Sequence, residues 1–161
     1  MPSKKTLSEA LGRQGFEKGF TILEILTVVV ILTVLILIAE PNFIHSKDNA
    51  QEASMMTNAR TLRLMLETYK TDYSVYPEDL RTLGYEATAK KYNKEAANPF
   101  TAIGGPVESG KWAIDYLGTT GPAGMVAYQP ISANTKYYIF AYARDGQLLK
   151  QNGQPFTLSN G

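Results

Sequence analysis

The chain has 161 residues, 44% hydrophobic and 19% charged, with 16 basic and 15 acidic side chains and a formal net charge of +1. That length fits one ordinary domain or one membrane span with a small domain, and a charge this close to zero exerts no strong pull toward nucleic acid or anionic lipid. The chain has no Cys and a single His, His45, which excludes disulfides, thiolate chemistry and Cys-based zinc sites, and argues against a hydrolytic or redox enzyme.

Residues 1–19 are polar and basic, with Lys4, Lys5, Arg13 and Lys18 set against Glu9 and Glu17. An apolar run follows from Phe20 to Ala39, interrupted by one charge, Glu24. Twenty helical residues rise about 30 Å, the thickness of a bilayer hydrocarbon core. The Lys/Arg excess before the run predicts a cytoplasmic N-terminus, with everything after Pro41 across the membrane. A secretory signal peptide would end in a small-x-small cleavage site; Leu37-Ile38-Ala39-Glu40-Pro41 lacks one. A plain anchor explains the length and the flanking charges but not Glu24, a carboxylate that costs roughly a few kcal/mol inside lipid unless it finds a partner.

Gly19-Phe20-Thr21-Ile22-Leu23-Glu24, preceded by Lys18, resembles the processing motif of the type IV pilin and type II secretion pseudopilin superfamily. The resemblance implies removal of residues 1–19 as a leader by a prepilin peptidase, cleavage between Gly19 and Phe20, and N-methylation of Phe20. It also supplies the missing partner. The Glu24 carboxylate meets the new α-ammonium of Phe20 on a neighbouring subunit, which neutralises both charges in lipid and registers the subunits. Pro41, at position 22 of the mature chain, matches a helix-bending proline of the family and is expected to kink or locally melt the helix. Two features depart from the commonest pattern: the long leader, and Glu40 just before Pro41, which is read as a solvated helix end or as a partner for Lys47.

From Asn42 to about Asp72 the pattern becomes amphipathic. Met55, Ala59, Leu62, Leu66, Tyr69, Tyr73 and Tyr76 recur at steps of four and three, one helix face, while Lys47, Asp48, Arg60, Arg63, Glu67 and Lys70 lie on others. Packing against a sheet explains that aromatic stripe. Tyr76-Pro77-Glu78-Asp79-Leu80 reads as a short helix start with Pro77 at its first position and the two acids in its first turn. Residues 84–111 are loop-like. Strands are predicted at Trp112–Tyr116, Gly124–Gln129 and Lys136–Ala143, with a hairpin at Asp145-Gly146 leading into Gln147–Lys150. The polar tail from Gln151 is expected on the surface.

The expected fold is therefore α+β, the pilin fold: a long helix packed on a small antiparallel sheet of three or four strands. Residues 20–41 form its membrane or filament-core half. Residues 42–161 form the exported domain, divided into an amphipathic helix (42–73), a connecting region (74–111), and sheet and tail (112–161). The first functional expectation is a structural subunit of a type IV pilus serving adhesion, motility or aggregation. The alternatives are a pseudopilin of a type II secretion system, a minor or competence pilin, and, in a different class, a single-span anchored binding module. The partners implied are the prepilin peptidase, further copies and minor pilins in a helical filament, an assembly platform protein with its ATPase, and the bacterial inner membrane before export to a surface filament or periplasmic pseudopilus. Removing residues 1–19 takes four basic and two acidic side chains from 16 and 15, leaving 12 and 13, a formal −1. With Lys90, Lys91 and Lys94 as one small basic cluster, that balance argues against a nucleic-acid partner. Some pseudopilins bind calcium in C-terminal loops; Asp115 and Asp145 are the carboxylates available here, but no dense oxygen-ligand run exists, so no metal ligand and no cofactor is assigned. His45 and Ser46 are chain neighbours and form no triad.

Overall fold

The computed structural model describes residues 19–160. The expected leader, Lys18 included, lies outside the described residues apart from Gly19, and so does the side chain of Pro41. The described chain forms two compact units, one running through Phe43 and the other starting at Ile44.

Helix α1 (Ile22–Tyr73) passes through both. No glycine falls within it, and the backbone is helical through residue 41. In the first unit every described side chain is exposed, from Ile22 at 90% to Val28 at 51%. Two hydroxyls in this apolar stretch are satisfied internally: Thr27 donates to the Leu23 carbonyl at 2.8 Å and Thr33 to the Val29 carbonyl at 2.7 Å. A threonine that back-bonds in this way adds no unpaired polar group to a helix in lipid. Among the described residues this is the one helix long and apolar enough to cross a membrane.

In the second unit α1 ends at Ser74, a left-handed residue (φ 63°) whose N–H still reaches the Lys70 carbonyl at 2.8 Å. Helix α2 (Leu80–Ala89) follows. The sequence reading placed Pro77 at its first position; the helix instead begins three residues later. Asp79 is the N-cap, its carboxylate accepting the Thr82 N–H at 2.7 Å, while the Pro77 carbonyl is taken by the buried Tyr128 hydroxyl, also at 2.7 Å. A short side-chain cap outcompetes a proline start here because it satisfies an orphan donor of the helix.

The region expected to be loop contains the rest of α2, a ladder of β1 (Ala96–Ala97) with β2 (Gly104–Gly105), and a 3-10 turn at Val107–Ser109. Then come β3 (Ala113–Asp115), β4 (Val126–Ile131), β5 (Lys136–Ala141), a hairpin of β6 (Lys150–Gln151) and β7 (Gln154–Pro155), and β8 (Leu158–Ser159). The main sheet has the order β3-β4-β5-β8. Tyr128 faces Ile139 across β4 and β5, and Ile139 faces Leu158 across β5 and β8, both antiparallel. The β3-β4 pair is parallel, Ala113 opposite Val126, which corrects the expected all-antiparallel sheet. The chain leaves β3 and doubles back over residues 116–125 to enter β4 beside the start of β3, so local turn signals do not set the direction of this pair.

The core is Met55, Ala59, Leu62, Met65, Leu66 and Tyr69 of α1 against Val126, Tyr128, Tyr137 and Ile139 of the sheet, closed by Trp112, Leu83 and Leu149. The predicted stripe holds from Met55 to Tyr69 and again at Tyr76, which lies beyond the helix end and is buried at 2% exposure. Tyr73 is 39% exposed: its ring lies 4.5 Å from that of Tyr69, its hydroxyl donates to Glu86, and the Lys90 ammonium sits 4.4 Å above it. It links α1 to α2 instead of entering the core. The tail is also more than surface. The β6-β7 reversal at Asn152-Gly153, both at positive φ, returns Phe156 to the core at 6% exposure and sets Leu158 on the sheet edge. Beside it the Asn160 amide grips the β5 end, accepting the Tyr137 N–H at 3.2 Å and donating to the Thr135 carbonyl at 3.1 Å.

Candidate functional site

The N-terminal end of α1 brings together four residues of the sequence motif: Gly19, Phe20, Thr21 and Glu24 line one depression. Phe20 is 82% exposed. A Cβ built on Gly19 meets nothing within 4 Å, so this chain's own fold places no demand for glycine there. Glu24 does not stand unpartnered in the lone chain. Its Oε2 accepts the Thr21 N–H and the Thr21 hydroxyl, each at 2.9 Å, and the Glu24 N–H donates to the Thr21 Oγ1 at 3.2 Å. This reciprocal pair is a capping box, with threonine before the first helical turn and glutamate three residues on. It satisfies two otherwise orphaned N–H groups of the helix and gives the carboxylate two donors where lipid would offer none. Sequence reasoning singled out Glu24 and passed over Thr21, although the spacing Thr21-Ile22-Leu23-Glu24 carries the signal.

The remaining candidates lie in the second unit and do not converge. Asp115 accepts the Leu80 N–H at 3.0 Å, and burial pushes its carboxyl above the usual carboxylate range. Asp145 accepts the Gln147 N–H at 3.0 Å within its own turn, where Gly146 is left-handed (φ 75°) and Tyr142 pairs with Leu148. Each carboxylate is therefore committed to a backbone N–H of its own. Among the described residues no group of three or more His, Asp or Glu side chains is placed to hold a metal ion. Glu78 and Asp79 precede α2 and do not pair as acid and base. His45 is exposed on α1. Within the basic cluster, Lys90 is held by Asp72 at 3.0 Å, so three lysines are not presented together. Tyr76, Tyr128 and Tyr137 belong to the buried core. Glu67 accepts the hydroxyls of Tyr137 at 2.8 Å and Tyr76 at 3.1 Å, and burial pushes the Tyr137 and Tyr128 phenols far up, so both remain donors.

Comparison with known proteins finds relatives of one kind. The chain is 31% identical over 107 residues to a type II secretion system core protein G of Pectobacterium carotovorum, covering 65% of this chain and 69% of that protein. It is 41% identical over 61 residues to the type II secretion system core protein G of Vibrio cholerae, 38% of this chain and 42% of that protein. It is 35% identical over 86 residues to that of Escherichia coli K12, 49% and 59%. The chain thus spans under half the length of the Vibrio relative and about two thirds of the Pectobacterium one. No protein-family model matches the chain, and no solved structure matches it significantly.

Proposed function

Because the chain belongs to the family of the type II secretion system core protein G, within the type IV pilin and pseudopilin superfamily, we propose that it is a pseudopilin, a structural subunit polymerised through the first half of α1 into the short filament of a secretion apparatus. This is the alternative reading of the sequence. It has more support than the type IV pilus subunit taken first, because the relatives are named as secretion components. The observation that carries it is the Pectobacterium protein, matched at 31% identity over 69% of its length.

In this reading the chain waits in the inner membrane with its N-terminus cytoplasmic and the unit from Ile44 on the far side. A prepilin peptidase cuts between Gly19 and Phe20 and methylates Phe20. The Thr21 cap holds Glu24 until the α-ammonium of Phe20 on an adjacent copy replaces or joins it. Copies related by a rotation that does not close then build an open helix, and the exposed apolar side chains of residues 20–38 leave lipid for one another. The platform protein and ATPase belong to the same expectation. In this reading the role is structural.

The test is deletion of the chain from its host, followed by assays of released exoproteins and of sheared surface filaments, with N-terminal mass analysis of the restored protein. Loss of exoprotein release with surface fibres unchanged supports the pseudopilin. Abundant Phe20-starting chain in sheared fibres moves the assignment to a type IV pilus. A chain that keeps residues 1–19 in a host with a working peptidase overturns both and leaves the anchored module.

A further inference from the structure

We propose that Arg144 is a strap, sensitive to ionic strength, that decides whether the first three turns of α1 in the second unit stay closed on the domain or open without disturbing its core. The observation behind it is a gap between where the helix begins in this unit and where apolar burial begins to hold it. From Ile44 to Ser54 no side chain is buried; the first is Met55, at 0% exposure. Helical turns that bury no side chain fully, with only Asp48, Gln51, Glu52 and Ser54 half-buried, are held weakly, because a short helix with little tertiary packing is marginal in water.

Across this stretch Gln51 and Asp48 reach to distant parts of the chain. Gln51 donates through Nε2 to the Pro99 carbonyl at 3.1 Å. Its Oε1 accepts the Arg144 guanidinium at 3.1 Å. The same guanidinium nitrogen lies 3.4 Å from the Asp48 carboxylate, and its carbon sits 5.4 Å above the ring of Phe100. One cation therefore ties three segments: the unburied turns of α1, the Asn98-Pro99-Phe100 loop, and the Asp145-Gly146 turn, 93 residues further along the chain than Gln51. Beneath it is a hollow of about 340 Å³ whose lining includes Glu52, Met55, Phe100 and Asp145. The strap thus spans a hollow between the helix and the loops, and its contact with the core runs through the half-buried ring of Phe100.

The strength fits a device that yields. The Arg144 and Asp48 side chains are 60% and 41% exposed, and ion pairs of this kind are weak and screened by salt. Beyond Met55 the helix is fixed by the buried row through Tyr69, so opening stops there. The helix can lengthen or bend at its start while the sheet, α2 and the tail keep their places.

The experiment is hydrogen exchange by mass spectrometry on the full chain in detergent micelles, comparing wild type, Arg144→Ala and Asp48→Asn, with wild type also at 0.05 and 0.5 M salt. The expected result is exchange about two- to fivefold faster at amides 48–54 in both variants and in wild type at high salt, with amides 58–69 unchanged. Equal protection at 48–54 in all conditions overturns the proposal. So does a uniform loss over the whole domain, which would make Arg144 an ordinary contributor to global stability. If Arg144→Ala fails to fold, the salt series on wild type decides alone. The result does not depend on the secretion reading, and a failure of either leaves the other standing.

Discussion

The Tyr137 hydroxyl and the Glu67 carboxylate are 70 residues apart in the chain and 2.8 Å apart in space. Tyr76 donates to the same carboxylate, and its ring stands edge-on to that of Tyr137 with centroids 4.7 Å apart. Sheet and helix are joined there by a shared acceptor inside an aromatic wall. Tyr137→Phe keeps the ring and removes one donor from a charged acceptor, so it is expected to lower unfolding stability by about 1–2 kcal/mol. Tyr137→Phe combined with Tyr76→Phe leaves Glu67 without its two phenol donors, and the expected loss exceeds the sum of the single changes. Urea titration of the three variants checks this.

At the membrane end Thr21→Val preserves the shape of the side chain and removes the hydroxyl that both donates to and accepts from Glu24. It is expected to weaken the helix start by about 1 kcal/mol and to reduce filament assembly several-fold with insertion unchanged. Glu24→Ala removes the carboxylate altogether and is expected to insert at least as well as wild type while assembly is lost. Ladders from chemical cross-linking, or from disulfides between cysteines introduced into the apolar stretch, set beside the amount of inserted chain, separate the two effects. If Thr21→Val assembles like wild type, the cap has no part in assembly.

Two carboxylates at the start of α2 respond to pH in opposite directions. The Thr82 N–H holds the Asp79 carboxyl below its ordinary value of 3.8, so its contribution is fully present above that value and fades as the pH falls through the lower, folded one. Burial holds the Asp115 carboxyl above 3.8. The folded state then keeps its proton longer, and stability declines as the pH rises from 3.8 through the folded value. Asp79→Ala is therefore expected to cost about 1 kcal/mol near pH 7 and much less in strong acid. Asp115→Asn, which can still accept the Leu80 N–H, is expected to raise the thermal midpoint near pH 7 and leave it unchanged in strong acid. Melting curves at several pH values for both variants test the signs.

Gly84 is buried inside α2. Helix propensity alone predicts a gain of about 1 kcal/mol for Gly84→Ala. The added Cβ, however, would lie 2.6 Å from the Glu108 Cβ, an atom too near the backbone to swing aside. Overpacking of this kind costs about 1–3 kcal/mol, so the net effect is expected to be destabilising. A second change, Glu108→Gly, should restore the propensity gain if the contact is the cause.

The long helix and most of its stripe were legible because burial there is periodic and local: Met55, Ala59, Leu62, Leu66 and Tyr69 read as a face and are one. The stripe misleads at Tyr73, where a carboxylate and an ammonium from α2 capture the ring, a tertiary event with no period. The parallel β3-β4 pair and the return of Phe156 to the core depend on where long connections land, which neither alternation nor turn residues specify. Thr21 is legible in the Thr-x-x-Glu spacing of a capping box, although the charge of Glu24 is the louder signal. The start of α2 differs from the expected one because Pro77 and Asp79 are both good openers; the Asp79 cap prevails while Tyr128, 51 residues away, occupies the Pro77 carbonyl, a partner no local pattern reveals.

The amide of Asn160 answers the backbone groups of Thr135 and Tyr137 that another strand would otherwise seek. Where β8 stops short of the start of β5, a side chain takes the place of the missing strand. At that one corner the sheet exposes fewer free backbone groups to which a foreign strand could pair.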